Sequence, residues 1–193
     1  MLKICVFSLK GGQGKSTISA EIALHFNAGV ITNEPYTILE AILPPKSLLI
    51  VKEKEEIPLL SGVPIVYDFG GYVDSRVLEV AKISDFIIVP ICADSDGDIQ
   101  AGITTAVELK DYTDKIIFVC NKTDKERISG VKEAINNFFP NNQFFIINKS
   151  KALSNLRNNK KSINEIVLES KFNAYCYRNI AKQMNDLFTY IKA

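Results

Sequence analysis

The stretch of sequence that decides the fold is Ser8-Leu9-Lys10-Gly11-Gly12-Gln13-Gly14-Lys15-Ser16-Thr17. Before it, residues 2–8 form an apolar run that predicts a buried strand. After it, Ile18, Ile22 and Phe26 recur at helical spacing, which predicts a helix over residues 15–27. The stretch is therefore a glycine-rich loop that joins a strand to a helix.

This context is typical of a P-loop, which binds nucleotide phosphates. Glycines allow a tight turn whose backbone N–H groups point inward at an anion, and the following helix adds its positive dipole end. Lys15 is expected to reach the β- and γ-phosphates and Ser16 to ligate Mg²⁺, although Leu9 replaces the first glycine of the strict pattern. The residues predicted to hold a nucleoside triphosphate are Gly11, Gly12, Gln13, Gly14, Lys15, Ser16 and Thr17.

Short apolar runs and helical patterns alternate along the rest of the chain. The predicted strands are residues 2–8, 30–32, 47–51, 64–69, 86–92, 115–120 and 143–148. The predicted helices are residues 15–27, 37–43, 75–82, 98–112 and 129–139, and most of 150–193. Continuously apolar strands are buried on both faces. We therefore expect an α/β fold, a doubly wound, mostly parallel sheet with helices on both faces, in a single domain over residues 1–193.

Composition narrows the functional classes. The 193 residues carry a formal net charge of +1, and no apolar run approaches the roughly 20 residues of a membrane-spanning helix. The N-terminal segment is too short for a secretion signal and runs directly into the loop. No Cys-x-x-Cys pair occurs among the four cysteines, so we expect buried thiols in a reducing cytoplasm. The single histidine, His25, cannot build a metal site.

One loop residue points to a particular family. Lys10-Gly-Gly-Gln-Gly-Lys15-Ser-Thr resembles the deviant Walker A motif of the ParA/MinD family of ATPases. The resemblance implies ATP and Mg²⁺ as ligands, and Lys10 and Lys15 as catalytic residues. It also implies that Lys10 crosses a dimer interface to the phosphates held by a partner subunit, as an arginine finger does in other nucleotide hydrolases.

Two further segments extend the resemblance. Residues 32–36, Thr-Asn-Glu-Pro-Tyr, match the family's Asp-x-Asp-Pro-Gln stretch, with Glu34 at the position of the carboxylate that orients attacking water. Thr32 replaces the first aspartate, and glutamate is one methylene longer than the second, so slow hydrolysis is expected. Residues 66–71 resemble the Walker B strand end, which implies that Asp68 holds Mg²⁺ through water.

The residues that follow the predicted strand 115–120 bear on which base the bound nucleotide carries. Asn121-Lys122-Thr123-Asp124 follows it, and the resemblance implies that Asn121 lies near a purine. Asn-Lys-x-Asp is also the guanine-reading signature of GTPases, so GTP stays open as an alternative to ATP. Asp96 and Asp98, beside the family's next helix, are interpreted as helix-capping residues.

A basic segment follows the last predicted strand. Residues 134–164 contain no Asp or Glu, and the stretch 152–166 resembles a family segment that ends in Gly-Lys-Ser-Ile-x-Glu and helps to bind non-specific DNA. Lys160 stands at the glycine position. The predicted DNA-binding residues are Lys149, Lys151, Arg157, Lys160 and Lys161. An ordinary solvated surface is the alternative interpretation, because contacts to phosphates are independent of sequence.

The resemblance favours a ParA-like plasmid partition ATPase. It implies a homodimer formed with ATP, non-specific DNA and a centromere-binding (ParB-like) protein as partners, and a cytoplasmic, nucleoid-associated location. Because the chain begins at the first strand, the small plasmid-type class is expected. A conjugation accessory ATPase and a biosynthetic ligase of the same superfamily remain alternatives. A MinD-like membrane protein is the third alternative. Residues 183–193 contain only one basic residue, Lys192, so no stable membrane association is expected.

Overall fold

The computed structural model describes residues 1–58, 60, 62–70 and 75–192. In this part of the chain seven strands form one sheet with the order β3-β2-β4-β1-β5-β6-β7, and every neighbouring pair is parallel. The strands are β1 (Lys3–Phe7), β2 (Gly29–Thr32), β3 (Leu48–Ile50), β4 (Ile65–Phe69), β5 (Phe86–Ile91), β6 (Ile116–Asn121) and β7 (Gln143–Ile147). The predicted α/β class is confirmed, and the sheet is wholly rather than mostly parallel.

Helices cover both faces of this sheet. They are α1 (Lys15–Phe26), α2 (Leu39–Ile42), α3 (Arg76–Ile83), α4 (Asp96–Leu109), α5 (Lys125–Asn136), α6 (Lys151–Ser154), α7 (Leu156–Asn159), α8 (Ile163–Leu168) and α9 (Lys171–Lys192), with a 3₁₀ turn at Pro45–Ser47. Buried residues of α1, α2 and α6–α9 pack in one core cluster, and those of α3–α5 pack in a second. The strands bury both faces because nearly all their side chains are apolar.

Two helices begin earlier than the sequence predicted. Helix α4 begins at Asp96 rather than Asp98, because Ser95 and Asp98 form a capping box that satisfies the first backbone N–H groups. Helix α5 begins at Lys125 rather than residue 129, directly after Asp124 at its N-cap. Asp98 is therefore a capping residue as interpreted, whereas exposed Asp96 lies 3.6 Å from Arg127. The predicted turn residue Gly71 and the terminal Ala193 lie outside the described residues.

The order of the strands determines where in the sheet the candidate site lies. Strand β1 lies at the centre, and the chain winds from it in both directions, to β4 and β2 on one side and to β5, β6 and β7 on the other. A crevice opens at the carboxyl ends of the strands where the winding reverses, and ligands of doubly wound sheets bind there. The glycine-rich loop follows β1 directly, so it lies in this crevice.

Candidate nucleotide site

The loop between β1 and α1 depends on two left-handed glycines. Gly12 has φ 79° and Gly14, the N-cap of α1, has φ 86°. A Cβ atom at Gly14 would overlap the side-chain amide of Asn121. Gly14 is therefore required for both its backbone conformation and the close approach of β6, and the loop presents the free N–H groups of α1 toward the crevice.

Gln13 anchors the loop to the sheet. Its Oε1 accepts from the backbone N–H of Cys92 at 2.6 Å, and its Nε2 donates to Asp98 Oδ1 at 2.8 Å. Its carbonyl accepts from Asn121 Nδ2 at 2.9 Å and from the Cys92 thiol at 3.3 Å. The Gln13 side chain is 3% exposed, so it fixes the loop on the ends of β5 and β6 and leaves ligand contacts to its neighbours.

The additional lysine of the loop is held by its own chain. Lys10 Nζ lies 2.8 Å from Asp98 Oδ1, with the Lys10 side chain 44% exposed and that of Asp98 8% exposed. Burial alone would raise the pKa of Asp98, but hydrogen bonds from Lys10, Ser95 and Gln13 outweigh burial and hold that pKa well below its ordinary value. The Lys10 ammonium is thus engaged by a carboxylate in the first turn of α4 and remains partly open to solvent.

Lys15 occupies the interior of the loop. It is 6% exposed, and its Nζ lies 3.5 Å from the carbonyl of Lys10, at the limit of a hydrogen bond. An almost fully buried ammonium with so weak a partner favours an anion as its further partner. This is the position expected for a lysine that contacts β- and γ-phosphates.

Asp68 stands at the end of β4 beside the start of α1. Burial raises its pKa to about 6, and the hydroxyls of Ser19 and Ser16 act in the opposite direction. Ser19 Oγ donates to Oδ1 at 2.8 Å, whereas no hydrogen-bond partner of the buried Oδ2 is found within the described chain. This orphaned oxygen beside Ser16 fits a hydrated Mg²⁺, a cation that usually keeps several waters and takes few protein ligands.

Glu34 reaches the same end of the sheet from β2. A Cβ atom at Gly70, two residues after Asp68, would lie 3.0 Å from Glu34 Oε1, and the Glu34 charge helps to raise the pKa of Asp68. Thr32 is fully buried, and its hydroxyl accepts from the backbone N–H of Glu34 at 3.1 Å. The residue that replaces the family's first aspartate therefore shapes the turn that presents Glu34.

A cavity of about 380 Å³ continues from the loop toward the end of β7. Apolar side chains of α2, α6 and α7 and polar groups that follow β6 and β7 line it. The lining residues are Thr17, Ile38, Ile42, Asn121, Lys122, Asn148, Lys149, Ser150, Leu153, Ser154, Leu156 and Arg157. The apolar wall suits the face of a base, and the polar groups suit its edge and the ribose.

The predicted DNA-binding residues differ in their immediate surroundings. Lys149 and Arg157 line the cavity, whereas Lys161 pairs with Glu169 at 2.6 Å. Lys151 and Lys160 are exposed outside the cavity. Lys160 adopts a left-handed φ of 51°, the conformation that a glycine would supply at this position of the resembled segment.

Sequence reasoning did not place the residues that follow β7 in this site, and it assigned Lys149 to DNA binding. Asn148, Lys149 and Ser150 follow β7 at the carboxyl edge of the sheet, and the rule that ligands bind at this edge could have placed them in the site. The Lys10–Asp98 ion pair was also missed, because 88 residues of sequence separate the partners and only the fold brings them together.

Charged groups around the loop are too dispersed for an all-protein metal cage. Within the described chain, no group of three or more His, Cys, Asp or Glu residues is placed to hold a metal ion. A P-loop magnesium ion does not need such a group, because phosphate oxygens and water supply most of its ligands. No described helix is long and apolar enough to cross a membrane.

The C-terminal helix bears on the membrane alternative. Met184, Leu187, Phe188 and Ile191, the apolar residues of the tail, are each no more than 2% exposed and belong to the core. An interfacial helix must expose its apolar face to lipid. These four residues of the tail therefore pack in the core of the structure.

Known structures share this architecture across nearly the full chain. The ATP complex of a McdA variant from Cyanothece has a TM-score of 0.60 and 16% identity, and the alignment covers 96% of each chain. A putative plasmid partition protein from Borrelia burgdorferi bound to AMPPNP has a TM-score of 0.56 and 18% identity, covering 96% of this chain and 98% of that one. The septum site-determining protein MinD with Mg-ADP from Pyrococcus horikoshii has a TM-score of 0.64 and 12% identity, covering 98% of both.

These similarities define the fold. The protein has the α/β architecture of a P-loop nucleoside triphosphatase, with its glycine-rich loop at the switch point of the sheet. More narrowly, it has the fold shared by MinD, McdA and ParA ATPases. Neither protein-family models nor the sequences of curated proteins give a match to the chain.

Proposed function

We propose that this chain is a single-domain, ParA-like partition ATPase that binds ATP with Mg²⁺, dimerises around the nucleotide and then binds non-specific DNA. The observation that carries the proposal is Lys10. This lysine is additional to the phosphate-binding Lys15, it is paired with Asp98, and its side chain is 44% exposed. A second cation at the mouth of a phosphate site is placed to act on a nucleotide held by another copy.

Each residue of the site has a distinct proposed role in hydrolysis. The loop N–H groups and Lys15 hold the phosphates, and Ser16 and Asp68 would hold Mg²⁺, which neutralises charge on the β- and γ-oxygens. Glu34 orients the attacking water by accepting its proton in a hydrogen bond. Lys10 of the second copy stabilises the charge that develops on the transferred phosphoryl group.

Adenine is the base that the cavity suits better. Guanine presents N–H donors at N1 and N2, which GTPases satisfy with the aspartate of Asn-Lys-x-Asp. In this chain Asp124 is exposed at the N-cap of α5, and the residues that line the cavity include no carboxylate. The Asn121 amide is already engaged with the loop carbonyl of Gln13.

DNA binding is proposed for the exposed lysines near the cavity. Lys151 and Lys160 lie outside it, and Lys149 and Arg157 line it, so a bound nucleotide would lie beside the basic segment. The B. burgdorferi structure, described as a putative plasmid partition protein, shares the fold over 96% of this chain, which agrees with a partition role. Hydrolysis stimulated by a centromere-binding protein would then release the DNA.

Duplex DNA binding without nucleotide and with ADP, ATP or GTP, across a salt series, tests the proposal. We expect binding only with ATP, falling steeply with salt because each phosphate contact releases a counterion. Lys15→Ala should abolish the ATP-dependent binding of DNA. Lys110→Ala, which changes an exposed lysine at the far end of α4, is the matched control and should leave that binding unchanged. DNA binding that is absent with every nucleotide, or equal with and without ATP, would contradict the partition function.

A further inference from the structure

One buried hydroxyl of helix α1 bonds across to the sheet rather than to its own helix. Ser19 is 0% exposed, and its neighbours in the chain, Ile18 and Ala20, belong to the apolar core. A serine hydroxyl in the middle of a helix often bonds to the carbonyl four residues before it. The Ser19 hydroxyl instead donates to Oδ1 of Asp68, 49 positions along the chain, at 2.8 Å. Burial of a hydroxyl is costly unless it is hydrogen-bonded, so the bond to Asp68 is what compensates the burial of this one.

This bond determines which oxygen of Asp68 is free. Asp68 is 1% exposed, its Oδ1 accepts from Ser19, and its Oδ2 has no hydrogen-bond partner within the described chain. The terminal torsion of an aspartate is broad, so the carboxylate needs a hydrogen bond to hold it in one orientation. The bond from Ser19 therefore keeps Oδ1 on helix α1 and leaves Oδ2 for a ligand.

The other groups that act on Asp68 do not replace this bond. Glu34 and Lys15 act on its pKa through their charges, in opposite directions, rather than through hydrogen bonds. Ser16, one helical turn before Ser19, is the other hydroxyl that acts on Asp68, and in the proposed nucleotide complex it ligates Mg²⁺. Ser19 then remains as the hydroxyl that holds the carboxylate.

We propose that Ser19 is a positioning residue for the Mg²⁺ site, and that its bond to Oδ1 holds Asp68 with Oδ2 free for the hydrated ion. Ser19 acts through Asp68 and is not itself a ligand. Partners that orient the ligands of a metal set its affinity, and removal of one such partner typically lowers that affinity by about 10–100-fold. The inference rests on the proposed function, because it requires a bound nucleotide with Mg²⁺.

Equilibrium binding of a fluorescent, non-hydrolysable ATP analogue to the full chain, in EDTA and in saturating Mg²⁺, measures this effect without turnover. The ratio of the two affinities reports how strongly the ion contributes to the complex. Ser19→Ala should lower that ratio at least about tenfold and leave the affinity in EDTA unchanged. Ser84→Ala is the matched control: it removes a buried hydroxyl that donates to the Val80 carbonyl at 2.8 Å, before β5 at the opposite end of the sheet, and should change neither affinity.

A double-variant cycle separates positioning from a general loss of packing. Asp68→Asn should lower the same ratio, and Ser19→Ala should lower it no further in that background, because its route to the ion is already removed. A ratio that Ser19→Ala leaves unchanged, including one in which both affinities fall equally, would overturn the inference, as would an additive loss in the double variant. A wild-type affinity that does not depend on Mg²⁺ would contradict the proposed function as well.

Discussion

Glu21 provides the most direct test of the electrostatics of this fold. It lies on α1, directly behind the phosphate loop, and is 1% exposed. Its Oε2 accepts from the backbone N–H of Ile163 at 3.0 Å, whereas its Oε1 has no partner in the described part of the chain. Burial raises the pKa of Glu21 to about 7, the hydrogen bond from Ile163 lowers it, and the charge of Glu165 raises it further.

The predicted perturbation is Glu21→Gln, which keeps an acceptor for Ile163 and removes the buried charge. A rise in pKa from 4.5 to about 7 means that the ionised group opposes folding by about 3 kcal/mol when both states are ionised. This penalty is small below the unfolded-state pKa, grows as pH rises, and is complete above the folded-state pKa. Glu21→Gln should therefore stabilise the protein most at alkaline pH.

Urea unfolding of both proteins at two pH values measures this difference. We expect the variant to exceed the wild type by about 2–3 kcal/mol near pH 8 and by about 1 kcal/mol near pH 5. Glu21→Ala is the comparison variant: it leaves the Ile163 N–H unpaired and opens a cavity, so it should destabilise the protein at both pH values. A Glu21→Gln protein that is less stable near pH 8, or whose gain does not change with pH, would refute the reasoning.

Three further predictions concern the loop and the basic segment. Lys10→Ala should abolish partner-stimulated ATP hydrolysis while ATP binding stays measurable; unchanged turnover in a steady-state assay would contradict a role in trans. Gly14→Ala should lower the free energy of unfolding by at least about 2 kcal/mol because of its left-handed φ and the amide beneath it, whereas Gly11→Ala, with open space around it, should not. Arg157→Ala should weaken ATP binding about tenfold, whereas Lys160→Ala should reduce the salt slope of DNA binding by about one. Titration of each variant with ATP and, separately, with DNA distinguishes the two effects.

The fold could be predicted because its signals are local. The seven strands are mostly apolar runs, and the phosphate-loop helix α1 follows the first of them directly after the glycine-rich loop. The two late helix predictions share a cause: apolar periodicity begins only after the first turn, and the first turns of α4 and α5 are polar. In α4 the capping signal was present in the sequence, because Ser95 and Asp98 have the spacing of a capping box.

The site could be predicted only in part, because its hydrogen bonds join distant segments. Gly14, Lys15 and Asp68 belong to short motifs whose chemistry is readable from residue types and spacing. The role of the Gln13 side chain is not readable in this way: it binds Cys92 and Asp98, residues about 80 positions away. Such contacts require the strand order, which local patterns do not specify.

The basic segment, residues 134–164, is a second example of what local sequence patterns do not specify. Its composition predicts a group of five cations but not the surroundings of each one. Three short helices, α6 to α8, lie between β7 and α9, and in this part of the chain Lys149 and Arg157 line the cavity, whereas Lys161 is paired with Glu169. One segment therefore contributes to both the cavity and the outer surface: α6 begins at exposed Lys151 and lines the cavity through Leu153, and exposed Lys160 follows α7, which lines it through Leu156. In the function proposed above, this adjacency would link ATP in the cavity to DNA binding on the outer surface.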